Sequence, residues 1–308
     1  MKKIIVADHY GVCMGVKRAI SMTEKTSTQD KHVTIFREIV HNEAIVEKFR
    51  AEGVGQTNSV DSISGGTVII PAHGASPDIF KRAEAKKLNV VDATCPLVIR
   101  IHKIIRKLAD AGYYILHYGD SAHDETVGII GHAPDRVQVI ENISDLDKIE
   151  SLPEKVALTA QTTAGITNFD EVEKAAIEKF PQIEVFNTIC NATSQRQDAI
   201  TKLAPNVDIM LVVGSKSSAN SNRLAQISKL FCKRAYLIDS AKEIDPNWFN
   251  DENEPVDVVG LSAGASTPDF LIDGVIEKLK GFSNTPVELI YPDKKTKQNE
   301  LALKNTAL

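Results

Sequence analysis

The chain has 308 residues, of which 43% are hydrophobic and 25% charged, with a formal net charge of −5. That length accommodates two or three domains with proper cores, and the acidic balance argues against a general nucleic-acid surface. No basic-then-apolar leader opens the sequence and no apolar run approaches the roughly 20 residues that span a bilayer, so the expectation is a cytoplasmic enzyme or binding protein with neither nucleic acid nor membrane as partner.

In chain order, β-branched and apolar runs predict strands at 3–7, 67–72, 113–118, 155–160, 207–213, 235–239 and 256–262. Between them, helical spacing predicts helices near 15–26, 43–52, 78–88, 97–111, 169–180, 195–204, 221–231 and 268–281. In 97–111, Leu97, Ile101, Ile104, Ile105 and Leu108 form one stripe, with Arg100, Lys103, Arg106 and Lys107 largely outside it. The alternation predicts an α/β fold of mostly parallel sheets covered by helices.

Cys13, Cys95 and Cys190 each stand where a strand-like run gives way to a helical pattern. In parallel α/β folds ligands gather at such points, because helix-start N–H groups are unpaired and the helix dipole favours negative charge. Thiols there are expected to have lowered pKa and to ligate metal. Three unrelated buried cysteines are the plain alternative. In a reducing compartment the four cysteines read as metal ligands, catalytic groups or core fillers rather than disulfide partners. Cys232, beside apolar residues at a helix end, reads as core filler.

The chain also resembles itself. Ala72-His73-Gly74-Ala75-Ser76-Pro77-Asp78 recurs as Ala263-Gly264-Ala265-Ser266-Thr267-Pro268-Asp269, and the segment from Tyr118-Gly119 has a counterpart from Val213-Gly214. With the three cysteine segments this predicts three related α/β lobes around a shared centre, 1–96, 97–191 and 192–282, followed by a loosely held tail over 283–308.

Three cysteines without a close pair fit a structural zinc site poorly, though zinc on three thiolates plus water stays open. An iron–sulfur cubane normally takes four cysteines, so three leave one iron with an open coordination position. A redox or iron sensor built on such a cluster is a second open reading. His41, His73, His123, Glu125, Thr162, Thr163, Ser218, Asn220 and Ser266 all fall in turn or helix-start contexts. Histidine, serine and asparagine donors with helix N-termini can wrap a diphosphate. Ordinary capping competes with that reading for the serines and asparagines, less so for the histidines.

Seven segments in order carry a family resemblance: Arg37–Asn42, Ala72–Pro77, Asp92–Val98, Gln161–Thr163, Cys190–Thr193, Val213–Leu224 and Ser262–Pro268. Together they resemble the 4-hydroxy-3-methylbut-2-enyl diphosphate reductases, iron–sulfur enzymes of the non-mevalonate isoprenoid route. The resemblance implies a three-lobed α/β fold with a central [4Fe–4S] cluster on Cys13, Cys95 and Cys190, found as [3Fe–4S] in an oxidised sample. It also implies reductive dehydration of the allylic diphosphate to isopentenyl and dimethylallyl diphosphate, with electrons from a ferredoxin- or flavodoxin-type protein. His41, His73, His123, Thr163, Ser218, Ala219, Asn220 and Ser266 would line the substrate site, and Glu125 and Thr162 would handle the hydroxyl end. Three departures stand out: Met14 follows Cys13 where the family has a small residue, Asp124 replaces the proline of its His-Pro-Glu-Val pattern, and Ala219 stands where many relatives have a second serine.

Overall fold

A computed structural model describes residues 1–249, 255–283 and 285–291. The elements begin with β1 (Lys3–Val6), α1 (Met14–Gln29), β2 (Val33–Phe36), α2 (Glu43–Ala51), β3 (Gly55–Thr57), β4 (Thr67–Ile70), α3 (Pro77–Ala85), β5 (Asn89–Asp92) and α4 (Pro96–Asp110). They continue with β6 (Tyr114–Tyr118), α5 (Asp124–Ile130), β7 (Val137–Ile140), α6 (Ile143–Asp147), β8 (Val156–Ala160), α7 (Ile166–Lys179) and β9 (Ile183–Phe186). The last are α8 (Asn191–Leu203), β10 (Ile209–Val213), α9 (Ala219–Phe231), β11 (Ala235–Ile238), β12 (Val258–Ala263), α10 (Asp269–Lys280) and β13 (Glu288–Ile290).

The strands form three sheets, ordered β3-β2-β4-β5, β7-β6-β8-β9 and β11-β10-β12-β1-β13. Each pairing among the described residues is parallel. Central strands such as β4, β8 and β10 are buried along their whole length, which is why they read as continuous Val/Ile/Leu runs rather than alternating ones. The chain divides into two compact units, one of residues 13–193 holding the two four-stranded sheets, the other of 1–12 and 194–308 holding the five-stranded sheet.

In the 13–193 unit, Ile35, Ile39, Phe49 and Ile69 pack on one side of the first sheet, while Leu116, Leu158, Phe169 and Val172 pack on one side of the second. In the other unit Ile4, Val6, Leu211, Leu261 and Val275 share a core. Cys232 is buried with Ile200, Met210 and Leu224, as a core filler would be.

Two placements differ from the lobe boundaries read from the sequence. Strand β1 does not join the sheet of its sequence neighbours but pairs with β12 and β13, and β13 lies inside the span expected to be a loose tail. Ile4 and Val6 are fully buried. Their apolar face needs a sheet-wide partner, which the segment just after Cys13, a helix, does not supply. The stretch 294–308, on which the loose-tail expectation mainly rested, lies outside the described residues. The internal likeness holds at the level of elements: 72–78 and 263–269 both link a strand (β4, β12) to a helix (α3, α10).

Candidate active site

Every candidate residue sits at the carboxyl end of a parallel strand or at the start of the following helix, where the fold leaves N–H groups unpaired. Within the 13–193 unit, Cys13 is the N-cap of α1 and Cys95 the N-cap of α4, with Pro96 at the first helical position. Cys190 directly precedes α8, and none of the four cysteines is in a disulfide.

The three thiols share one neighbourhood. The charge of Cys13 and of Cys190 is felt at Cys95, and that of Cys13 at Cys190. Gly15 makes the approach possible: a Cβ there would lie 2.5 Å from Cys95 Sγ, so only glycine lets the first turn of α1 come against that sulfur. Arg18 ties the two segments further, donating from Nη1 to the Thr94 carbonyl at 3.1 Å.

Burial pushes the Cys95 thiol up, against the pull of the Leu97 and Val98 N–H groups, and the other two thiols push the same way. Burial likewise raises Cys190, although the Thr193 hydroxyl at 3.2 Å and N–H at 3.4 Å favour its thiolate. This corrects the expectation of lowered thiol pKa at helix starts. For these two cysteines, loss of water outweighs the helix-start donors. Two thiols pushed up by loss of water, with a third close enough to push them further, are a poor resting place for thiolates and a good one for a cationic inorganic core that discharges them. The residues therefore fit an iron–sulfur cluster.

Beside the thiols lies a histidine group. His41 stacks on His73 with centroids 4.8 Å apart and meets His123 edge-on at 5.0 Å. His41 comes from the turn before α2, whose N-cap Asn42 accepts from Ile45 N–H, His73 from the β4–α3 turn, and His123 is the N-cap of α5. His123 Nδ1 accepts the Glu125 N–H at 3.1 Å. Histidine is an unusual cap, so the sequence argument against a capping role does not hold for this residue. Burial holds its pKa down to about 4, helped by His41. The neutral ring therefore carries its proton on Nε2, as a donor. His73 lies well below the ordinary value because of burial, then His41, His123 and Arg37.

Glu125, the second residue of α5, connects the two groups. It is 3% exposed, and its carboxylate accepts the Thr162 N–H at 2.7 Å and the Thr162 hydroxyl at 2.5 Å. Burial raises its pKa in spite of those bonds and of nearby His41, and its charge is felt in turn at Cys190. Thr163 is half-buried, and its hydroxyl accepts from the Gln161 side chain at 2.9 Å. Gln161 itself accepts the Asp120 N–H at 3.0 Å, a support for the loop before His123 that only its place in a motif had signalled.

Ser218, Ala219, Asn220 and Ser266 belong to the other unit. Ser218 is the N-cap of α9, accepting from Ser221 N–H, and Ala219 is its first residue. Asn220 is 3% exposed, and neither its amide nitrogen nor its oxygen has a hydrogen-bond partner among the described residues. Ser266 is buried in the β12–α10 turn. Gly214 and Gly264 both press on Ser221, where a Cβ would come within 2.3 and 2.0 Å of its hydroxyl oxygen. This packs the α9 start against two strand-end loops.

The family profile described as LytB protein matches residues 4–280. The chain belongs to the LytB family. It is 38% identical over 285 residues to the 4-hydroxy-3-methylbut-2-enyl diphosphate reductase of Trichlorobacter lovleyi, covering 92% of this chain and 99% of that one. To the enzyme of the same name from Neorickettsia sennetsu it is 36% identical over 281 residues, 90% of this chain and 91% of the relative. The solved structure of the E-1-hydroxy-2-methyl-but-2-enyl-4-diphosphate reductase from Plasmodium falciparum superposes with a TM-score of 0.88 at 29% identity, covering 99% of each chain. A second solved structure, described as (E)-4-hydroxy-3-methyl-but-2-enyl diphosphate reductase, the terminal enzyme of the non-mevalonate pathway, gives 0.65 at 37% identity, over 91% of this chain and all of that one. The LytB fold is thus the three-sheet α/β fold described above, and among the described residues no helix is long and apolar enough to cross a membrane.

Proposed function

We propose that this LytB chain reduces (E)-4-hydroxy-3-methylbut-2-enyl diphosphate. The allylic C–O bond breaks, two electrons and two protons enter, water leaves, and isopentenyl or dimethylallyl diphosphate forms. The observation that carries this reading is Glu125, a buried carboxyl that holds Thr162 by two hydrogen bonds, whose charge is felt at Cys190 and which itself feels His41.

Cys13, Cys95 and Cys190 would hold a [4Fe–4S] cluster. When bound, that cluster supplies the electrons one at a time and a Lewis-acid iron without a cysteine ligand. Hydroxide is a poor leaving group, so the reaction also needs a proton donor in place. With its pKa raised by burial, Glu125 holds a proton more readily than a solvated carboxyl and releases it to an adjacent oxygen. The Thr162 hydroxyl, 2.5 Å from the carboxylate, is the relay to the substrate hydroxyl. Thr163 braces the loop that carries it.

His41, His73 and His123 take the diphosphate end. The neutral rings of His73 and His123 donate to phosphate oxygens, and a bound anion draws further protons onto them. Ser218, the Ala219 backbone, Asn220 and Ser266 offer donors of the same kind, and the unpaired Asn220 amide suits a phosphate oxygen. Held at that end, the substrate presents its hydroxyl in a fixed place, which is where proximity contributes. Electrons come from a one-electron carrier of ferredoxin or flavodoxin type, and the four cysteines outside disulfides support a cytoplasmic location.

The test is anaerobic incubation of cluster-loaded protein with the allylic diphosphate and a reduced viologen. Formation of the two five-carbon diphosphates with loss of the hydroxyl is expected. A fully loaded protein that leaves the substrate unconsumed refutes the reading.

A further inference from the structure

Asp124 stands where the family pattern has proline, and the structure shows what it contacts. One carboxylate oxygen is ion-paired with Arg37. The other lies 3.2 Å from His73 Nε2, a buried nitrogen with no aligned hydrogen bond. Arg37 reaches Asp124 from a left-handed backbone conformation, φ 58°, which a non-glycine residue rarely adopts. The next residue, Glu38, places a carboxylate oxygen 3.3 Å from His41 Nδ1. Ligand atoms of His41, His73 and Asp124 all lie within 4.8 Å of one another.

We propose that His41, His73 and Asp124 form a site for a divalent transition-metal ion, and that the ion and the substrate's diphosphate exclude one another there. Two imidazoles and one carboxylate are the donor set of borderline ions such as Zn²⁺, Co²⁺ and Ni²⁺ rather than of Mg²⁺ or Ca²⁺. Tetrahedral ligands about 2.1 Å from zinc are roughly 3.4 Å apart. The His73–Asp124 pair, at 3.2 Å, already has about that separation, and the third ligand, within 4.8 Å, closes with a side-chain shift of at most about 1.4 Å.

The outer contacts are those of a metal site. A ligating histidine commonly gives its other nitrogen to a carboxylate, and a ligating carboxylate is itself held by a donor. Glu38 does the first for His41 and Arg37 the second for Asp124. With Nδ1 turned to Glu38, Nε2 of His41 is the ligand nitrogen we assign. Exclusion follows from valence: an imidazole nitrogen whose lone pair binds a metal has no proton to donate to a phosphate oxygen. The exclusion rests on the function proposed above, whereas the metal site does not.

Calorimetric titration of cluster-loaded protein with Zn²⁺ under argon, alongside Asp124→Asn, Asp124→Pro and His73→Ala, tests it. Cys13, Cys95 and Cys190 are occupied in each sample and Cys232 is buried in the core, so a difference between variants reads this site. Proline is tolerated at a first helical position, which guards against loss of folding. Zinc affinity should fall at least tenfold in both Asp124 variants and vanish in His73→Ala. Zinc should inhibit turnover competitively with substrate in the unsubstituted protein and at least tenfold less well in Asp124→Asn. Equal zinc affinity in the unsubstituted protein and Asp124→Asn overturns the site, and zinc binding that leaves turnover unchanged overturns the exclusion. Absence of turnover before any zinc is added would instead refute the reductase reading and leave the calorimetric result standing.

Discussion

Replacing Gly15 by alanine separates the fold from the cluster. The new Cβ would sit 2.5 Å from Cys95 Sγ and 3.1 Å from its Cβ, whereas non-bonded heavy atoms rest at about 3.5–4.0 Å. The sulfur must therefore retreat by about 1 Å or more, or α1 must move. Gly15 lies in the second helical position of α1, where alanine gains up to about 1 kcal/mol over glycine. Rotation of the Cys95 side chain off its preferred position costs a similar amount, so the protein without its cluster should change in stability by no more than about 1 kcal/mol. The cluster has no such freedom, since metal–ligand distances tolerate only about 0.2 Å. Gly15→Ala should thus fold with a nearly unchanged melting temperature before reconstitution, yet retain a small fraction of the iron and sulfide and lose turnover in proportion. A Gly15→Ala protein holding a full cluster at normal turnover would show that the sulfurs do not meet as described.

Glu125→Gln keeps both contacts with Thr162 in altered form, so cluster content and diphosphate affinity should hold while turnover falls about 10²–10⁴-fold; turnover within threefold of normal removes the proton role. Because His73 and His123 are held neutral in the free protein and a bound anion raises them, binding of inorganic diphosphate should take up protons. Its affinity should rise as pH falls toward about 4, the value of His123 in the free protein, by up to tenfold per unit per histidine, after correction for the ligand's own titration, and a flat profile contradicts the assignment. His117 is fully buried against the Thr159 hydroxyl at 2.9 Å, and burial lowers its pKa to about 3. Its unfolded form protonates first as pH falls below about 6.5. Stability should therefore decline toward acid by up to about 1.4 kcal/mol per pH unit. His117→Asn should flatten the pH dependence of the denaturant midpoint by about 2 kcal/mol at pH 5, and an identical slope in the two proteins would refute the argument.

Much of the molecule is local information. Strands such as β4, β8 and β10 are buried end to end, so each announces itself as an apolar run, and a cysteine at the strand-to-helix change marks a ligand-binding edge without any tertiary knowledge. The parallel α/β class, the three thiols, the histidines and Glu125 follow from that punctuation and from the seven motifs. Short strands at sheet edges did not announce themselves: Gly55-Gln56-Thr57 of β3 is exposed or half-buried throughout, and a strand held mainly by one neighbour needs no apolar code.

What tertiary structure alone decided is non-local. The partner of β1 lies more than 250 residues away in β12, because pairing depends on which edge is open rather than on sequence proximity. The upward shift of the Cys95 and Cys190 thiols depends on how much water the assembled pocket excludes, which outweighs the helix-start effect visible in the sequence. Asp124 could be seen as a departure from the family pattern. Its meeting with Arg37 and His73 required the loops after β2, β4 and β6 to converge, and side-chain contacts across such distances are set by packing, which leaves no period in the chain to read.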